Sequence, residues 1–191
     1  MARLAKIARH GQGLAGRQRA AEAGRIGENP AVFRQLDRLY LAREDGGLAT
    51  LTDCPYSAGM YVFLYERYDE AAGFYVVGRG EYENFTYTLV SRKTGLTFTM
   101  VGPPVWSPDG KRVANARCSA MNGPNELYVA RRTEEGFHTE KSVRLPCPLN
   151  GDCTFQWETS SPISISCTEQ GAAPRTLRVV LQRDEWTVTP D

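Results

Sequence analysis

The sequence predicts an all-β domain of antiparallel hairpins from residue 38 to the C-terminus, behind a basic, helix-prone extension over residues 1–37. Three observations predict it. Apolar and polar residues alternate with a period of two along short β-prone runs. Turn residues recur between those runs at short, regular spacing. No helical pattern of roughly 10 to 15 residues separates one run from the next, which argues against parallel strands with crossover helices.

The alternation is plainest where Tyr61, Phe63 and Tyr65 interleave with Val62, Leu64 and Glu66. After a turn at Asp69–Gly73 comes Phe74-Tyr75-Val76-Val77. The same grammar runs through 85–90, 96–101, 112–116, 126–130, 137–145, 154–157, 163–167, 177–181 and 185–188. Upstream, Leu39-Tyr40-Leu41-Ala42 and Leu48-Ala49-Thr50-Leu51-Thr52 flank a Gly-containing loop and read as a hairpin. Before it, Asn29-Pro30 reads as a helix start, and Val32, Phe33 and Leu36 follow at helical spacing, so a short helix ending near Leu36 is expected.

Residues 1–27 hold six Arg or Lys against one acid, Glu22, a net charge of +5 in a chain whose total is +1. Five glycines from Gly11 to Gly27 interrupt this stretch, and each costs a helix roughly 1 kcal/mol relative to Ala. The extension is therefore expected to need a partner surface in order to form a helix. It is Arg-rich and acid-poor like an organellar transit peptide but lacks the serines, and no secretory apolar stretch is present. The location expected is cytoplasmic for the chain as it stands, and periplasmic or secreted if its natural start lies elsewhere. No apolar run reaches the length of a membrane-spanning helix.

Five cysteines, Cys54, Cys118, Cys147, Cys153 and Cys167, fit no zinc spacing. Only Cys147 and Cys153, which flank Pro148-Leu149-Asn150-Gly151-Asp152, have a local argument for a disulfide; small buried thiols are the alternative.

The segment Pro104-Val105-Trp106-Ser107-Pro108-Asp109-Gly110-Lys111-Arg112-Val113-Ala114, with Glu126-Leu127-Tyr128-Val129 after a loop, resembles the WSPDG-type repeat of TolB-like β-propellers. Pro108 presets φ, Asp109 can bond nearby backbone and Gly110 accepts positive φ, so a tight turn is expected, with Trp106 packing between sheets. The resemblance implies a small or partial propeller-like arrangement. About fourteen strands at four per blade make between three and four blades, and the first hairpin is the candidate for closing the sheet.

No catalytic signature emerges. His10 and His138 lack nucleophile motifs around them, and no nucleotide-binding loop or metal site is expected, hence no cofactor. The basic extension has no interleaved aromatics for stacking on bases, so nucleic acid is not the expected partner. Among the aromatic and acidic residues from Tyr56 to Tyr87, the binding candidates near strand ends are Tyr65, Tyr68, Tyr82 and Glu83. The expected function is a non-enzymatic protein-interaction module. The alternatives are a secreted or envelope inhibitor that inserts the 148–152 loop into a toxin or enzyme, and a glycan-binding or glycosidase-like protein using paired carboxylates.

Overall fold

A computed structural model describes residues 18–54, 61–81, 84–117, 125–134, 136–147, 152–168, 173–183 and 185–190. Among these, residues 18–27 form a helix and fifteen strands build four antiparallel sheets. Sheet A orders β1 (Val32–Gln35), β2 (Arg38–Ala42) and β3 (Leu48–Thr52). Sheet B orders β4 (Tyr61–Asp69), β5 (Phe74–Glu81), β6 (Phe85–Ser91) and β7 (Thr97–Met100). Sheet C contains β8 (Val105–Trp106), β9 (Arg112–Arg117), β10 (Glu126–Thr133) and β11 (Gly136–Arg144). Sheet D contains β12 (Asp152–Trp157), β13 (Ile163–Thr168), β14 (Arg175–Gln182) and β15 (Glu185–Pro190). Within each sheet, each strand pairs with the next in sequence, which is the up-and-down order of propeller blades. The fold is all-β and propeller-like.

The chain divides into two compact units, Met1–Thr97 and Phe98–Asp191. In the first, one face of sheet A carries Val32, Leu39 and Leu41 into a core with Tyr65, Tyr75, Val77 and Val90. In the second, sheets C and D enclose Leu127, Val129, Ile163, Ile165, Leu177, Val179 and Trp186. The Trp157 indole N–H also donates to the Val105 carbonyl at 3.0 Å, tying β12 to β8. Glu140 accepts from the Nε of Arg112 at 2.8 Å and from Trp186 at 3.1 Å. Burial pushes its carboxyl up, but hydrogen bonds from Arg112, Arg131 and Trp186 outweigh that and hold it below the usual range.

The expected helix after Asn29 is a strand. The Asn29 side chain accepts from the Ala31 N–H at 3.1 Å and its carbonyl from the Val32 N–H at 3.0 Å, which makes a turn. Beyond it the sequence obeys the two-residue period: Val32 and Arg34 face inward, Phe33 and Gln35 outward. An arginine on the inner face broke the apolar pattern, and only its partners, described below, explain its position. The helix that does form lies earlier, over 18–27, and the surface it needed comes from the same chain: Glu22 is only 1% exposed.

One close approach in the second unit admits only glycine. A Cβ placed on Gly102 would stand 2.3 Å from the carbonyl oxygen of Ala116, and the Gly102 N–H donates to the Asn115 side chain at 3.2 Å. Gly102→Ala must push backbone from backbone, so it is expected to destabilise the unit by about 2 kcal/mol, within the range for overpacked interiors. Chemical denaturation of the purified variant checks this; an unchanged midpoint would show that the 101–116 region yields freely.

Candidate interaction surface and the charged clamp behind it

Strand β4 is the outermost strand of sheet B, and its free edge is occupied mostly by side chains. Tyr61 exchanges both backbone hydrogen bonds with Cys54, at 3.0 and 3.1 Å. Two residues on, the Phe63 N–H donates to Asp53 Oδ1 at 2.8 Å and the Phe63 carbonyl accepts from Arg34. Two further on, the Tyr65 N–H donates to Glu22 Oε1 at 2.7 Å and its carbonyl accepts from Arg25 Nε at 2.8 Å. Four charged side chains thus meet the outward backbone groups in the alternating order that a neighbouring antiparallel strand would.

These side chains also bind one another. Arg34 forks onto Glu22 with two contacts of 2.9 Å and reaches Asp53 at 3.2 Å, while Arg19 reaches Asp53 at 2.6 Å. The side chains of Glu22 and Asp53 are 1% exposed and that of Arg34 is 12% exposed. Burial is the largest influence on Asp53 and pushes its carboxyl up, against the Phe63 N–H and the guanidinium groups of Arg34 and Arg19. Such a cluster adds little net stability compared with an apolar core. What it supplies is a saturated, directional seal. Every carboxylate in it is held by guanidinium and backbone donors away from solvent, a structural use of acids.

The clamp reaches the surface at one point. Arg19 also donates to the Leu36 carbonyl at 3.3 Å. Leu36 opens the two-residue turn between β1 and β2, has φ of 55°, and is 83% exposed. Left-handed backbone is unfavourable for a residue of this bulk. On the outer face of sheet A, Phe33 stacks on Tyr40 with ring centroids 4.7 Å apart, and Leu48 stands on the same face. Phe33 and Leu48 are 44% and 47% exposed.

The binding candidates expected from sequence are not gathered into one patch. Tyr65 corrects the expectation that it stands at an exposed strand end. It lies mid-strand, 3% exposed, with its ring in the core and its hydroxyl accepting from Asn29 at 2.8 Å. Tyr68 is half-buried, tilted on Tyr75 at 4.9 Å with the Arg92 guanidinium 5.3 Å above its ring. Tyr82 and Glu83 lie outside the described residues. In the Trp106–Gly110 segment, the Ser107 hydroxyl donates to Asp109 at 2.6 Å, Lys111 N–H donates to Asp109 at 3.1 Å, and Gly110 has φ of 66°. Pro108 is exposed at the turn, and Trp106 packs half-buried near Phe137, with centroids 5.8 Å apart.

Cys147 stands at disulfide distance from Cys167, and Cys153, which faces Cys167 in the β12–β13 register, is disulfide-bonded as well. The Cα atoms of Cys147 and Cys167 stand 5.5 Å apart, in the usual disulfide range. Cys167 reaches this position because β13 carries it into the core beside Cys147, 20 residues earlier in sequence.

Sequence reasoning missed Glu22, Arg34, Asp53 and Leu36. One signal was present: the single acid of the basic first 27 residues is the one that is buried. Among the described residues, an open hollow of about 510 Å³ is lined by Thr133, Glu134, Phe137 and His138, and one of about 160 Å³ lies between Met100, Asn115 and Tyr128.

No family model matches the chain, and no curated protein matches it. Among solved structures it is similar to the crystal structure of TolB from Acinetobacter baumannii, with 18% sequence identity and a TM-score of 0.42. The similarity covers 80% of this chain and 37% of the TolB chain, so this chain spans little more than a third of that protein's length.

Proposed function

We propose that the chain is a protein-interaction module that presents the Leu36 turn and the outer face of sheet A to a protein partner carrying an apolar pocket. The observation that carries this reading is Leu36 itself: a bulky apolar residue, 83% exposed, in left-handed backbone and tethered by Arg19. Strained residues persist where their surroundings over-determine them, and they concentrate at functional positions. The adjoining Phe33–Tyr40 stack and Leu48 extend the apolar contact. Tyr68 with Tyr82 and Glu83 is a second contact of the same module, and the Trp106–Gly110 turn is its WSPDG-type repeat. The Cys147–Cys167 bond supports an oxidising location, in the envelope or outside the cell. The second reading, an inhibitor that inserts the 148–152 loop, keeps its motive, since Cys153 is disulfide-bonded as well.

Leu36→Gly separates binding from folding. Glycine relieves the positive φ, so the variant is expected to be more stable by about 0.5–1 kcal/mol despite its greater unfolded-state entropy, while losing capture of the partner that the unchanged protein retains. Parallel affinity capture and thermal melting measure the two effects. If both proteins retain the same partners in equal amount, the turn is not the contact.

A further inference from the structure

We propose that Glu22, Arg25, Arg34 and Asp53 form an edge guard, and that β4, once freed of the guard, pairs edge to edge with β4 of a second copy of this chain. Three observations carry it. First, the four groups meet both outward backbone groups of Phe63 and of Tyr65 in the place a strand would take. Second, the guarded run Tyr61-Val62-Phe63-Leu64-Tyr65 has no charge, proline or glycine. Short, uncharged, β-prone runs on an open edge are the segments most prone to pair with another chain. Third, the run cannot turn away from its edge: Leu64 and Tyr65 are each 3% exposed, packed on opposite faces of the sheet.

The geometry also names the occupant. In an antiparallel pair about a two-fold axis at Leu64, Phe63 of one copy faces Tyr65 of the other. The backbone groups now held by the guard would then satisfy each other. Half of the guard, Glu22 and Arg25, comes from the helix over 18–27, so displacing this helix would open the edge at Tyr65 and leave Asp53 and Arg34 to be displaced by the incoming strand.

The test removes the helix-borne half of the guard with Glu22→Ala and Arg25→Ala in the full chain, since alanine, unlike glutamine, offers the Tyr65 N–H no acceptor. Mass by light scattering over a concentration series is read beside amide exchange at Tyr65. The expected result is a twofold rise in mass relative to the unchanged protein, with the Tyr65 amide exchanging freely at low concentration and protected at high concentration. A folded variant whose mass does not rise overturns the proposal. So does one that associates while the Tyr65 amide stays exchangeable. Should the double variant fail to fold, Arg25→Ala alone serves, because the Arg25 side chain is 34% exposed and its loss leaves Glu22 in place. The same rise in mass is expected, shifted to higher concentration, and its absence overturns the proposal.

Discussion

Arg34→Ala is expected to destabilise the first unit by about 3–5 kcal/mol, the cost of leaving a buried carboxylate without its counter-charge. The guanidinium serves two acids whose side chains are 1% exposed and also meets the Phe63 carbonyl. Removing it takes a partner from three groups at once and leaves buried Glu22 without the guanidinium it pairs with, while Asp53 keeps Arg19. Arg34→Lys is expected to recover little of the loss, because one ammonium cannot reproduce a fork that spans Glu22, Asp53 and a backbone oxygen.

The pH dependence gives the mechanism a signature. Burial already raises the Asp53 carboxyl above its ordinary value of 3.8, and loss of Arg34 moves it further the same way. An acid whose folded-state pKa is raised binds protons more readily when folded. Its favourable contribution is full below the ordinary value and is lost as pH rises through the folded value. The deficit of Arg34→Ala relative to the unchanged protein should therefore be largest at neutral pH and shrink on acidification. Urea titrations of both proteins at several pH values measure this. A deficit independent of pH would locate the damage in packing, not charge.

Reducing the Cys147–Cys167 bond is expected to cost the second unit about 3 kcal/mol, the chain-entropy figure for a closed loop near 20 residues. Melting with and without reductant should show the loss, and replacing both cysteines by alanine should abolish the sensitivity to reductant at this bond. Peptide mapping without reduction is expected to recover Cys147 joined to Cys167. Recovery of Cys147 joined to Cys153 instead would close the 148–152 loop and favour the inhibitor reading.

Much of the fold was legible from local chemistry. The runs Tyr61–Glu66 and Leu48–Thr52 read as strands because a period of two needs only the residues themselves. Val32–Gln35 misread as helix for an instructive reason. Its apolar residues satisfied a helical spacing by accident, and Arg34 hid the inward face that would have revealed a strand. Tyr65 was expected near a strand end, where loops carry binding, yet β4 runs on to Asp69 and places Tyr65 mid-strand with its ring in the core. Leu36 could not be read at all, since its meaning lies in a backbone angle and not in a side-chain pattern.

The sequence by itself determined that this chain is built from consecutive antiparallel hairpins, because strand formation and turn closure depend on neighbours a few residues apart. It also marked the glycine-rich, basic first 27 residues as able to form a helix only against a surface, and the described part of them, 18–27, is helical with Glu22 buried. Only the tertiary structure decided which polar groups would be interior. Glu22, Arg34, Asp53 and the β4 backbone come from four separate segments. The burial of each is tolerable only once the others are in place. Packing in the same way brought Cys167 on β13 to disulfide distance of Cys147.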